Sequence, residues 1–249
     1  MFTPEERAGL RTILLELAHN DQRITGAAIT GSAAASREDQ WSDVDLAFGV
    51  NTAANLPSVL SDWTAHMYDQ HRALHHLDVM SGAWTYRVFL LPNTLQVDLA
   101  FVADTEFRAL APPFRLMFGK ANEPRYASPP VPAAIIGLAW LYALHARTCI
   151  ARRKLWQAEY MISSVRDNAL ALACIRHGLS SVHGRGIDLL PREVTVHFQD
   201  SLVRQLDTDE LSRAFRVVVH LLVQEIPRVD IELAQRLQQV LTALSECPL

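Results

Sequence analysis

A proline-rich stretch divides the chain into two parts whose hydrophobic residues recur at different intervals. Between Ala121 and Pro132 the sequence contains four prolines, a composition typical of a linker. Before this stretch, short apolar runs are separated by Gly, Pro, Asn and Ser, as strands are. After it, apolar residues recur at the spacing of amphipathic helices. The pattern predicts an α+β fold: a mixed β-sheet flanked by helices over residues 1–122, followed by an all-α helical bundle over residues 123–249.

The N-terminal part opens with the signals of a helix start. Thr3 is a suitable N-cap, Pro4 suits the first helical position, and two glutamates follow in the first turn. Another helix is predicted from Leu56 to His71. Five apolar runs are predicted to be strands, at 26–30, 44–50, 77–80, 85–91 and 95–102, the last two forming a β-hairpin.

The C-terminal part is predicted to consist of helices at 131–153, 155–177, 192–206, 209–224 and 230–244, with a loop at 178–186. Short polar connections between long amphipathic segments favour an antiparallel bundle. The most apolar stretch, residues 131–150, contains His145 and Arg147. It is therefore interpreted as a buried helix rather than a membrane span.

The composition is that of an ordinary soluble protein and argues against several special classes. Hydrophobic residues make up 49% of the chain and charged residues 20%, with a net charge of -4. These values are ordinary for a soluble protein and give no sign of a basic surface for nucleic acid or an anionic membrane. Cys149, Cys174 and Cys247 lack paired spacing, which argues against a disulfide framework or a zinc site. With no secretory signal at the N-terminus, a cytoplasmic location is predicted.

Three pieces of the N-terminal part are predicted to form one site. Gly31 and Ser32 directly follow the first predicted strand. Asp43 and Asp45 open the second, where side chains two residues apart point to the same face. Asp98 interrupts the apolar alternation of the last strand. If that strand lies beside the strand of Asp45, three acids converge on one spot.

Converging carboxylates are the chemistry of a metal site. Three like charges repel one another unless a cation neutralises them, and hard divalent cations prefer carboxylate oxygens. Two such ions are a common device for phosphoryl displacement. The turn at Gly31 and Ser32 can offer backbone N–H groups to a phosphate. Each signal alone has an ordinary explanation: a tight turn, a solvated strand end, or an ion pair between Asp98 and Arg87.

The order and spacing of these pieces match a known signature. The run ITGSAAASREDQWSDVDLAF resembles the Gly-Ser…Asp-x-Asp motif of the DNA polymerase beta-like nucleotidyltransferase superfamily, and QVDLAFV resembles the strand with its third carboxylate. The resemblance covers residues 24–102. The helical tail is similar in kind to that of the kanamycin and streptomycin nucleotidyltransferases.

This resemblance implies an enzyme with Mg²⁺ held by Asp43, Asp45 and Asp98. Two ions are expected, and Mn²⁺ is an expected substitute. The reaction implied is transfer of a nucleoside monophosphate, AMP from ATP in the first instance, with release of pyrophosphate. The implied acceptor is a hydroxyl of a small molecule, such as an aminoglycoside-like compound.

The helical part offers further candidate residues. Glu159, Ser163 and Arg166 form a polar stripe at helical spacing. In the functional interpretation the stripe faces a cleft, with Glu159 near the acceptor hydroxyl and with Arg166 and Lys154 near phosphates. An internal network that braces the bundle explains the stripe equally well. Arg37 is a candidate to cover the triphosphate, or is simply solvated.

Two alternatives remain open from the sequence. One is a protein- or tRNA-directed nucleotidyltransferase of the antitoxin type, although the attached helical domain favours a small-molecule acceptor. The other is a nucleotide-binding regulator without turnover, against which the three aspartates speak. Nucleic acid is the least supported acceptor, no membrane partner is expected, and an oligomer is allowed.

Overall fold

A computed structural model describes residues 1–126, 128 and 130–246 of the chain. Pro129 of the predicted linker and Cys247 lie outside the described residues. The chain separates into two compact units, Met1–Ser128 and Pro129–Leu249. The first contains a mixed sheet with helices and the second contains helices, so the α+β fold class is confirmed. The division into a catalytic domain at 1–122 and a helical bundle domain at 123–249 stays a prediction.

The two long helices of the first unit lie where the sequence predicts them. Helix α1 spans Pro4–Asn20 and is capped as expected: the Thr3 hydroxyl accepts from the Glu6 amide, and the Glu6 carboxylate accepts from the Thr3 amide. The second predicted helix is α3, which spans Leu56–His71. Between them lies a short helix that was not predicted, α2, at Gly31–Ala34.

Six strands among the described residues form one sheet. They are β1 (Ile24–Ile29), β2 (Val44–Val50), β3 (His75–Ser81), β4 (Trp84–Leu90), β5 (Gln96–Ala103) and β6 (Arg115–Gly119). Their order is β3-β4-β5-β2-β1-β6. Strands β2 and β5 are parallel and the other pairs are antiparallel, including the predicted β4–β5 hairpin. Strand β6 was missed because it is a five-residue edge strand, largely exposed, with no apolar alternation.

The two faces of this sheet are covered differently. On one face α1 and α3 enclose a large apolar core, in which Phe48 lies 4.7 Å from Trp63 and 5.2 Å from Phe101 between ring centroids. On the other face a smaller cluster forms around Phe107, which follows β5. Gly49 leaves room for this ring, since a Cβ there would lie 2.9 Å from it. The second face is therefore covered toward the ends of β2 and β5, and their beginnings lie beyond this cover.

The second unit contains helices α4 to α8 among its described residues. They are α4 (Pro132–Ala151), α5 (Leu155–Arg176), α6 (Arg192–Gln199), α7 (Thr208–Glu225) and α8 (Ile231–Glu246). Helix α5 packs against both α4 and α7, and α7 packs against α8. Helix α4 is long and apolar enough to cross a membrane by length and composition alone, a test that core helices of soluble proteins also pass. Its buried side chains belong to the core of this unit.

One helix is shorter than predicted. The helix expected over 192–206 ends at Gln199. The carbonyl groups beyond it are bound by side chains instead of by a continuing helix. Arg213 donates to the carbonyl oxygens of Asp200 and Leu202, and Arg166 donates to that of Ser201. Because these acceptors are satisfied, the chain leaves the helix without a hydrogen-bonding penalty.

Candidate metal centre

Three carboxylates meet where β2 and β5 begin. These strands are parallel, and Asp45 lies directly opposite Asp98 in their register. Asp43 immediately precedes β2, and residues two apart in an extended chain share a face. One carboxylate oxygen from each of Asp43, Asp45 and Asp98 lies within 4.8 Å of the others. The adjacency expected from the sequence is therefore present.

The Asp98 carboxyl is costly to ionise at this position. Burial raises the pKa of the Asp98 carboxyl to about 6, an effect that the Asp43 carboxylate increases and the Gln96 amide opposes. The Gln96 amide nitrogen donates to Asp98 at 3.0 Å and to Asp43 at 3.4 Å. A divalent cation would relieve this repulsion, and three hard oxygen donors suit Mg²⁺ or Mn²⁺. The donor set thus fits the metal that the resemblance implies.

The alternative explanation of Asp98, an ion pair with Arg87, is wrong. The Arg87 guanidinium donates to both carboxylate oxygens of Asp78, at 2.7 and 2.6 Å, and to the Thr64 hydroxyl. Arg87 and Asp98 are on adjacent strands, but Arg87 pairs in register with Leu99, so its side chain points to the opposite face of the sheet.

Gly31 lies against the acidic cluster. Its φ of +60° is in the left-handed region, which glycine adopts without steric cost. A Cβ at this position would lie 1.9 Å from Asp45 Oδ2. Glycine is required here because any side chain would clash with Asp45. The sequence alone did not reveal this reason.

Ser32 places an unused polar group in the same turn. Its hydroxyl oxygen is buried and has no hydrogen-bond partner among the described residues. Buried hydroxyl groups are normally satisfied, and an unsatisfied one calls for a ligand or water. This unused hydroxyl belongs to the residue that follows Gly31, which lies against Asp45.

The loop between Ser32 and Asp43 is held by a buried arginine that the sequence pattern did not single out. Arg7 of α1 is 4% exposed. Its guanidinium donates to the carbonyl oxygens of Asp39 at 2.5 Å and Ser42 at 3.0 Å. Glu38, in the same loop, lies 3.1 Å from Arg7 and 2.5 Å from Arg11. Because Ser42 directly precedes Asp43, this clamp fixes the chain that presents the first carboxylate.

We expect Arg7→Met to weaken both the fold and the metal centre. It removes two charge-assisted hydrogen bonds to carbonyl groups near the site, which we expect to lower the free energy of unfolding by about 3 kcal/mol. Mg²⁺-induced thermal stabilisation should decrease as well, because Asp43 loses its support.

Arg11→Met is the matched control, since it removes a Glu38 partner but leaves both carbonyl contacts in place. Its expected cost is below about 1 kcal/mol. Equal Mg²⁺-induced shifts of melting temperature in the two variants would show that Arg7 has no role at the site.

The remaining candidate residues are Arg37, in the loop after Ser32, and Lys154, Glu159, Ser163 and Arg166, in the second unit. The Arg37 side chain is exposed, while its amide donates to the Ser32 carbonyl oxygen at 3.0 Å. Lys154 is exposed at the start of α5. On α5, the Ser163 hydroxyl donates to Glu159 at 2.6 Å, and Arg166 donates to that hydroxyl at 2.8 Å. The internal Glu-Ser-Arg network is therefore present, and functional roles for its members stay proposals.

The chain shows little similarity to known proteins. The sequence matches no protein-family model and no curated protein. A matching solved structure is the crystal structure of an aminoglycoside 6-adenyltransferase from Bacillus subtilis. It shares 14% identity over 100% of both chains, with a TM-score of 0.43.

Proposed function

We propose that the chain is a magnesium-dependent nucleotidyltransferase. It moves a nucleoside monophosphate, AMP from ATP, to a hydroxyl of a small-molecule acceptor and releases pyrophosphate. The observation that carries this proposal is the meeting of Asp43, Asp45 and Asp98 within 4.8 Å. The unsatisfied hydroxyl of Ser32 in the adjoining turn supports it, because a triphosphate requires both a cation site and donors for its oxygens.

The proposed chemistry assigns distinct tasks to these residues. Asp43, Asp45 and Asp98 would hold the ions, which supply neutralising charge to the triphosphate and lower the pKa of an acceptor hydroxyl. Ser32 donates to a phosphate oxygen, and Gly31 lets the main chain approach. The acceptor oxygen attacks the α-phosphorus as the bond to the pyrophosphate oxygen breaks, and a base removes the hydroxyl proton.

The basic and acidic candidates outside the cluster complete the proposal. Arg37, Lys154 and Arg166 are proposed to bind phosphate, for which guanidinium and ammonium groups are suited. Glu159 is proposed as the general base. An aminoglycoside-like compound is the first acceptor class that the sequence resemblance suggests, and a cytoplasmic setting supplies ATP and Mg²⁺.

The direct test is a screen of nucleotides labelled at the α-phosphate against a panel of hydroxylated acceptors, with Mg²⁺ or Mn²⁺. We expect label to appear in an acceptor, together with one pyrophosphate for each transfer. The Asp43→Asn variant is the matched negative control. Nucleotide binding without transfer to any acceptor, protein and tRNA included, would favour a regulator instead.

We expect Glu159→Gln to slow transfer while leaving triphosphate affinity unchanged. Glutamine keeps the size of the side chain and can still accept from Ser163, but it is not a base. The expected loss of rate is about 10²–10⁴-fold, the usual contribution of a general base.

The control for Glu159→Gln is Ser163→Ala. It removes the hydroxyl that links Glu159 to Arg166 but leaves the carboxylate in place. We expect a lower melting temperature with most of the activity retained. If Glu159→Gln instead melts well below the wild type and keeps its rate, Glu159 is a structural member of the network.

A further inference from the structure

The sheet face with the acidic cluster continues into an apolar surface. Across the sheet, Leu77 of β3 lies opposite Val88 of β4, Val88 opposite Asp98, and Asp98 opposite Asp45. Directly opposed residues project their side chains to the same face. One row of side chains therefore runs from the candidate metal ligands to the outermost strand.

This surface, which we call the β3–β4 platform, consists of Leu77, Val79, Val88 and Leu90. Leu77 is 60% exposed, Val79 48% and Leu90 47%, and Val88 is half-buried. Leu90 lies opposite Gln96, the residue whose amide contacts two of the acids. Several neighbouring apolar side chains exposed together indicate a binding surface rather than chance exposure.

The distance from the platform to the acids suits a small molecule. Neighbouring strands lie about 4.8 Å apart, so Val88 is one strand spacing from Asp98 and Leu77 about two, roughly 10 Å. An acceptor whose hydroxyl is next to the ions would extend over the platform if its body is one or two rings wide. The hydroxyl and the body would then contact the same row.

The platform itself has no carboxylate that could pair with a cationic acceptor. The residues that alternate with its members point to the opposite face, where Asp78 is engaged by Arg87. Among the described residues of β3 and β4, none with a carboxylate points to the platform side. Ammonium groups placed over β3 and β4 would thus lose hydration without gaining an ion pair on these two strands.

We propose that the β3–β4 platform is the acceptor subsite and that it selects hydroxylated small molecules with an apolar face. This inference rests on the proposed nucleotidyl transfer and names its substrate class, replacing the aminoglycoside-like compound as the preferred acceptor. The apolar face of the acceptor covers Leu77 and Val88, and its hydroxyl points toward Asp98.

The test is methyl NMR on the full chain with labelled leucine, valine and methionine methyl groups. Mg²⁺ and a non-hydrolysable ATP analogue are added first, followed by cyclohexylmethanol, glycerol or kanamycin in separate titrations. We expect cyclohexylmethanol to cause saturable shifts at Leu77, Val79, Val88 and Leu90. Glycerol and kanamycin should leave these signals in place.

Two variants separate the platform from general surface hydrophobicity. Leu77→Gln places an amide in the row of the acids. Met80→Gln makes a change of similar size on the same strand, at a residue that is 63% exposed on the opposite face. We expect Leu77→Gln to weaken the affinity for cyclohexylmethanol about fivefold or more, as loss of an apolar contact should, and Met80→Gln to leave it unchanged.

The outcomes distinguish this inference from the proposed function. In a second sample with nitrogen-labelled backbone amides, shifts of Gly31 and Ser32 on addition of the Mg²⁺–nucleotide analogue report the nucleotide site independently, and their absence would overturn both proposals. If they occur while cyclohexylmethanol leaves the platform methyl groups unmoved, the platform is not the acceptor subsite. Platform shifts caused by kanamycin, or by raising the protein concentration alone, would likewise overturn it, favouring a polycationic acceptor or a second copy of the chain.

Discussion

Replacing Asp45 or Asp98 with asparagine is expected to abolish nucleotidyl transfer while the protein stays folded. Each change keeps the shape of the side chain but removes a charged oxygen ligand from a cluster whose three members lie within 4.8 Å. Bound ions contribute several kcal/mol to stabilising the transition state, so a fall of at least about 10³-fold follows from losing them. The measurement is release of pyrophosphate from ATP with Mg²⁺.

In the absence of metal, Asp98→Asn should show how much the ionised Asp98 lowers the stability of the fold. The pKa of Asp98 in the folded protein is about 6, above its value of about 3.9 in an unfolded chain. The folded state therefore binds the extra proton between these values, and its stability falls as the pH rises from about 4 to about 6. Asp98→Asn lacks this titration, so its melting temperature should exceed that of the wild type above about pH 6 without metal.

Added Mg²⁺ should reverse that order. Metal binding requires deprotonated ligands, so thermal stabilisation of the wild type by Mg²⁺ should increase as the pH passes about 6. Asp98→Asn should gain little. Asp69→Asn, a change at an exposed position on α3, is the control for the loss of one negative charge. If Asp98→Asn and the control respond alike to Mg²⁺, the cluster does not bind the ion.

The elements around the candidate site could be predicted from the sequence because each has a local signal. Alternating apolar residues mark β2, β4 and β5, and a short connection containing Pro92 and Asn93 marks the β4–β5 hairpin. The pairing of β2 with β5 was inferred from their acids rather than from a local signal. It joins residues more than fifty positions apart, which periodicity alone cannot specify.

What the sequence did not reveal depends on tertiary contacts. Arg7 occurs in an ordinary helix start, and nothing near it in sequence indicates that it binds the carbonyl groups before Asp43. The early end of α6 has the same kind of cause, because Arg213 comes from a later helix. In both cases an arginine side chain donates to backbone carbonyl groups of another segment. The spacing of hydrophobic residues does not predict such bonds.

The polar stripe on α5 shows where spacing is ambiguous. Glu159, Ser163 and Arg166 lie on one side of the helix as predicted, and they bind one another. Helical spacing brings such residues together whether they support a fold or a reaction. Helical spacing therefore does not distinguish a structural network from a catalytic one, whereas the rate and the melting temperature of Glu159→Gln do.

Gly31→Ala is expected to remove most of the activity, through a mechanism that can be separated into two parts. The first is the backbone, since a φ of +60° costs a residue with a Cβ about 1–2 kcal/mol. The second is steric, because the new Cβ would lie 1.9 Å from Asp45 Oδ2. To make room, either the turn or the carboxylate must move, so Asp45 loses its place beside Asp98 or Ser32 is displaced.

Gly82→Ala isolates the first part. Gly82 has a φ of +59°, and a Cβ added there would have no described atom within 4 Å, so alanine meets the backbone cost without a clash. We expect Gly31→Ala to lower the melting temperature more than Gly82→Ala does, and to weaken the affinity for a Mg²⁺–nucleotide analogue at least tenfold. Gly82→Ala should leave that affinity unchanged.

Combining Gly31→Ala with Asp45→Ala isolates the second part. Removing the Asp45 carboxylate also removes the oxygen that the new Cβ would clash with. The double variant should therefore regain the stability that Gly31→Ala loses through the clash, but not the part lost through the backbone conformation. Its activity should stay absent because one of the proposed metal ligands is missing. If the double variant is as unstable as the two single losses added together, Gly31 and Asp45 are not coupled. The intolerance of Gly31 would then have to come from the backbone alone.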